Sequence, residues 1–160
     1  MPEVSLANTA DHANVRVIPP LIYVVVLGAA WLLQKLVPLP GLPVALSRIG
    51  GGALIVAGLG LCGWSVGLFR SRQTSIMPIR PSAALVLSGP YRWTRNPMYL
   101  GLLLAYLGAA LVFQLIWGLI LLPIVVVAVD RLVIHKEERY LGRKFGSAYA
   151  DYRGRVRRWI

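Results

Sequence analysis

Cysteine, histidine and acidic side chains are all scarce in this chain, and each scarcity removes a class of function. The single cysteine, Cys62, has no partner for an internal disulfide and excludes a cysteine-rich metal site. It lies among Leu61, Gly63 and Trp64 in an apolar run, where a thiol serves as a packing group. The two histidines, His12 and His135, are distant in sequence, so no metal site is expected. Charged residues make up 14% of the 160, too few to clothe a soluble domain of this size. Repeats and low-complexity segments are absent, and the length predicts a single domain over 1–160.

What the chain has in quantity is apolar sequence, 57% hydrophobic with a mean hydropathy of +0.65. Segment 1–16 is polar and lacks an apolar core, so a cleavable signal peptide is not expected there. Three uncharged stretches follow. Val17 to Gln34 and Ile49 to Phe69 each suit one crossing of a bilayer, which takes roughly 20 helical residues. Pro38, Pro40, Gly41 and Pro43 mark the connection between them. The third stretch, Pro97 to Val129, would be about 50 Å long as one helix, far beyond a hydrocarbon core of roughly 30 Å.

Charge decides how the third stretch is arranged. The net charge of +11 is carried by residues flanking the apolar runs, which suits anionic lipid head groups. No nucleic-acid motif accompanies it, so nucleic acid is not an expected partner. Arg70, Arg72, Arg80, Arg92 and Arg95 precede the third stretch, and nine basic residues from Arg131 to Arg158 follow it. One crossing would put these clusters on opposite sides of the membrane. A hairpin turning near Gln114 puts both in the cytoplasm. The reading is an all-α polytopic bundle of about four spans, both termini cytoplasmic, with an amphipathic C-terminal helix. Arg153 to Ile160, with Trp159 among the arginines, reads as an interfacial anchor.

Gly58-Leu-Gly60-Leu-Cys62-Gly63 matches a dinucleotide-binding pattern, but it lies inside an apolar run rather than between a strand and a helix. Together with Gly63-Trp-Ser-Val-Gly67 it predicts close helix packing instead. His135, beyond the last apolar run, could serve as a proton acceptor, but its place at the interface gives it no assigned role.

Two segments carry chemistry. Ser88 to Gly101 packs Gly89, Pro90 and Pro97 around Tyr91, Arg92, Trp93, Arg95, Asn96 and Tyr99, a structured loop entering a helix. Arg131 to Tyr152 contains Glu137 and Glu138, two of only six acidic residues. Taken alone, that segment reads as readily as an exposed helix held by intrahelical ion pairs.

Together the two segments resemble the isoprenylcysteine carboxyl methyltransferase and phospholipid methyltransferase superfamily. The family pattern G-P-Y-R-x-x-R-H-P-x-Y-x-G, a hairpin, E-E and F-G-x-x-Y-x-x-Y is met by Gly89 to Arg92, Arg95 to Gly101, Glu137-Glu138, and Phe145-Gly146 with Tyr149 and Tyr152. The resemblance covers residues 89–155. It implies an integral membrane methyltransferase using S-adenosylmethionine, bound at the cytoplasmic face by Tyr91, Arg95, Asn96, Tyr99, Glu137 and Glu138. Arg95, Asn96 and Glu138 are the implied catalytic residues, with Glu138 toward the cofactor's ammonium and Arg95 toward its carboxylate. The expected acceptor is a lipophilic or small molecule drawn from the membrane lipid phase, isoprenylcysteine-like, with a phospholipid or small thiol as alternatives. Asn96 departs from the family's histidine and cannot titrate, which leans against a protonated amine. A nicotinamide-dependent membrane reductase and a non-catalytic membrane protein are the readings from other classes.

Overall fold

The computed structural model describes residues 18–71 and 85–160. The polar segment 1–16 with His12, and Arg72 and Arg80, lie outside the described residues. The described residues are helical throughout, with no strand among them. Helix α1 (Pro19–Leu36) begins with two prolines in its first turn, where a missing N–H costs nothing. Helix α2 (Val44–Ser71) is the longest at 28 residues. Both are long and apolar enough to cross a membrane. They turn large apolar side chains outward, with Ile49 75% and Val56 72% exposed, as suits a lipid-facing surface.

The third apolar stretch forms a hairpin. Helix α3 (Pro97–Val112) ends as Gln114 adopts a positive φ of 57°, and Leu115 N–H then bonds back to the Ala110 carbonyl. Helices α4 (Ile116–Ile120) and α5 (Leu122–Val129) run back from this turn. The Gln114 amide donates to the Ser47 hydroxyl, and the Trp117 indole donates to the Val37 carbonyl at 2.8 Å. Hairpin turn and α1–α2 connection therefore sit at the same end of the bundle.

Beyond α5 the helix does not stop. One π-helical turn, Asp130–Ile134, leads directly into α6 (His135–Arg155), the amphipathic extension read from the sequence. Gly146, at φ 52°, breaks α6 into two parts. The core gathers Tyr23, Tyr99, Tyr106, Val125, Val129, Val133, Ile134 and Tyr140 where α1, α3, α5, the π turn and α6 meet.

Helices α2 and α3 run antiparallel in close contact. A methyl group on Gly58 would lie 2.4 Å from the Gly101 carbonyl oxygen, and one on Gly51 would lie 2.6 Å from that of Gly108. Helix packing is thus the role of Gly58, as expected. Gly60, Gly63 and Gly67, which share its motifs, meet nothing within 4 Å. At about 100° per residue, Gly60, Gly63 and Gly67 are turned roughly 200°, 140° and 180° from Gly58, onto the outer face of α2.

Candidate functional site

The site lies at the end of the bundle opposite the Gln114 turn. Gly89 begins a single 3-10 turn, Gly89–Arg92, with a φ of 60° that favours glycine. A side chain there would also strike Leu68, so chain reversal and packing both require glycine. The turn buries Tyr91, whose ring packs on Phe69, while Pro97 starts α3 and fixes the intervening Trp93–Asn96 segment. The Tyr152 hydroxyl donates to the Tyr91 carbonyl at 2.8 Å, locking α6 to this turn.

Across from the turn stand the two glutamates of α6. The Tyr99 hydroxyl donates to Glu137 at 2.8 Å, and the Arg95 guanidinium pairs with Glu138 at 3.2 Å. Residues 38 or more apart in sequence are thereby brought into one cluster. Arg95 and Glu138 side chains are only 9% and 10% exposed, so this pair is held away from water. Tyr23 of α1 donates to the Tyr99 carbonyl at 3.0 Å and adds a third element to the cluster.

Three participants were not legible in the sequence. Arg158 donates to both oxygens of Glu138, at 2.6 and 3.2 Å, and to Asp130 at 3.1 Å. Asp130, presented by the π turn, also meets His135 at 3.1 Å. Thr94 donates to the Arg158 carbonyl at 3.0 Å, as does the Asn96 amide. The segment read as an interfacial anchor is folded back on the Trp93–Asn96 segment, with Trp159 packed against the core. Rarity was the available signal for Asp130, one of six acidic residues at the end of an apolar run. Nothing in composition or spacing sets Arg158 apart from its neighbouring arginines.

Electrostatics separates the two glutamates. Glu138 is committed to two guanidiniums. Glu137 is raised from 4.5 to about 7, chiefly by burial and further by neighbouring Glu138, against the opposing hydrogen bond from Tyr99. Among the described residues no cation pairs with Glu137. Burial also pushes the Tyr91 hydroxyl upward, so it stays protonated at neutral pH. Hydrogen bonding to Glu138 holds Arg158 above its ordinary value.

A cavity of about 510 Å³ opens beside this network, lined by Arg95, Val126, Val127, Asp130, Arg131, Arg158 and Trp159. That volume falls in the range of small-molecule sites, roughly 300–1,000 Å³. Arg95 holds two buried nitrogens, Nε and Nη1, that have no partner among the described residues. A buried guanidinium with open donors is suited to an anionic group such as a carboxylate. Val126 and Val127 supply an apolar wall, and Val127 is also exposed on the outer surface of α5.

The sequence model of the phospholipid methyltransferase family matches residues 46–148. No curated protein and no solved structure matches the chain. The matched stretch takes in α2, the Gly89 turn, the hairpin and both glutamates, and ends before Arg158 and Trp159.

Proposed function

Since the chain belongs to the phospholipid methyltransferase family, and is on that ground a membrane methyltransferase, we propose that it moves a methyl group from S-adenosylmethionine to a phospholipid head group. The observation that carries the reading is the cluster of Arg95, Tyr99, Glu137 and Glu138 beside a cavity that Arg95 lines, with two guanidinium nitrogens buried and unpaired among the described residues. These residues fit the donor's groups. Arg95 would receive its carboxylate. Glu137, which meets no cation among the described residues, would receive its ammonium, a role the sequence reading gave first to Glu138. Glu138 instead holds Arg95 and Arg158 in place. Tyr91, Tyr99 and Asn96 frame the same turn.

When bound, S-adenosylmethionine supplies a methyl group made electrophilic by its sulfonium. The chain's own residues then have to align, shield and manage protons. Arg95, fixed by Glu138, sets the donor's orientation, and alignment of two reactants can supply about 7–11 kcal/mol of the barrier. Val126 and Val127 exclude water from one side and offer the acceptor's chain a path from lipid. A protonated amine must lose its proton before it attacks. Asn96 cannot take it, and Glu137 is engaged with the ammonium once the donor is bound, so the proton passes to solvent. The family match supports a phospholipid head group over the carboxylate acceptor implied by the isoprenylcysteine resemblance. Four crossings with both termini cytoplasmic would bring the soluble donor and the lipid acceptor to this one face.

The test is transfer of labelled methyl from S-adenosylmethionine by the protein in lipid nanodiscs, with aminophospholipid, isoprenylcysteine and small-thiol acceptors supplied separately. Label is expected in the aminophospholipid. Label in the isoprenylcysteine or thiol alone would replace the acceptor, and label in none would reject the methyl-transfer reading.

A further inference from the structure

Beyond the matched region the chain ends in a strap, Val156 to Ile160, that closes over the Trp93–Asn96 segment. Its backbone carries the attachment. The Arg95 N–H donates to the Arg157 carbonyl at 3.0 Å, and Thr94 and Asn96 both donate to the Arg158 carbonyl. Two of its side chains, Arg158 and Trp159, form part of the cavity lining. The strap thus grips the residue that presents the open guanidinium, and both of that residue's neighbours.

Arg158 also competes with Arg95 for one carboxylate. It takes both Glu138 oxygens through Nε and Nη2, while Arg95 reaches Glu138 only through Nη2. Forked pairing of guanidinium and carboxylate is the stronger arrangement, because two parallel charge-assisted bonds form at once. With Arg158 in place, the Nε and Nη1 of Arg95 remain buried without a partner among the described residues. Without it, nothing would prevent Glu138 from taking Arg95 in the same forked fashion and engaging one of those two nitrogens.

We infer that Arg158 is a positioning residue, which by occupying Glu138 keeps the Arg95 guanidinium open to an anionic ligand, and that the C-terminal strap is an integral wall of the ligand site. The anionic ligand is the donor's carboxylate on the reading above, on which this inference rests for its ligand. The strap itself is a property of the chain and can be judged without a ligand.

The test is a double-mutant cycle between Arg158→Ala and Glu138→Gln, read in nanodiscs by calorimetric binding of S-adenosylmethionine and by thermal midpoints of the unliganded protein. Arg158→Ala is expected to weaken binding ten-fold or more in the wild-type background and less than two-fold beside Glu138→Gln, since it acts through that carboxylate. Arg158→Lys, which keeps charge but loses the fork, should fall between. In the unliganded protein, Arg158→Ala should lower the midpoint more with Glu138 present than absent. Equal losses in both backgrounds, by either readout, would overturn the positioning role. If the wild type binds no S-adenosylmethionine, the donor assignment fails, and the thermal cycle alone decides for or against Arg158. A chain ending at Arg155 that binds as tightly as the full one would overturn the strap as part of the site.

Discussion

Glu137 is the residue at which burial and function pull hardest against each other. Its carboxyl sits beside a second glutamate with one hydroxyl as donor, and its ordinary 4.5 is raised to about 7. A raised carboxyl means that the folded state holds the proton more tightly than the unfolded chain. The associated stability is complete below about 4.5 and is lost as the pH climbs through about 7. Glu137→Gln keeps an acceptor for Tyr99 and cannot ionise. It should therefore raise the thermal midpoint at pH 8, by up to about 3 kcal/mol of stability, and change little at pH 4.5. An unchanged midpoint at pH 8 would mean that the carboxylate is solvated in the fold. At this scale the sequence was legible where types are rare. Both glutamates, Arg95, Asn96 and Tyr99 stood out by motif, and the structure brings them together. Asn96 uses its amide on the Arg158 carbonyl, a bond that asks for a donor and no titration. Arg158 was hidden because a guanidinium among many carries no mark of which carboxylate it will meet.

Among the elements, the α2–α3 seam is what sets the Gly89 turn and the start of α3 against α2. Its carbonyls approach so closely that one added methyl must displace backbone. Gly58→Ala should cost about 1–3 kcal/mol by overpacking. Gly63→Ala, on the open side of the same helix, should be neutral or slightly stabilising, as alanine favours helix. Thermal unfolding of the two variants checks the contrast, and equal losses would place the seam elsewhere. The hairpin in the third apolar stretch could be read beforehand because a single helix would exceed the membrane and split the basic clusters. The helix seam could be foreseen only in kind. A glycine motif specifies small surface, while the rotation of α2 that selects Gly58 over Gly63 comes from the partner helix. The π turn at Asp130 had no sequence signal at all, since one extra residue in a helical turn leaves the hydrophobic pattern nearly intact.

For the molecule as a whole, the apolar helices bring two polar segments distant in sequence to one end and leave the other to the Gln114 turn. The family match covers nearly all of α2, the turn, the hairpin and the glutamates, and leaves α1 and the C-terminal strap outside it. The central claim is that this end forms one donor site centred on Arg95. Removing that side chain leaves Glu138 still paired with Arg158, so the fold should survive. The direct measurement is equilibrium binding of labelled S-adenosylmethionine to wild type and Arg95→Ala in nanodiscs, with reduced nicotinamide as the competing ligand. The account predicts saturable binding to the wild type, weakened at least ten-fold by the substitution (~1.4 kcal/mol) and untouched by nicotinamide. Equal affinity in the two proteins, or displacement by nicotinamide, would contradict it.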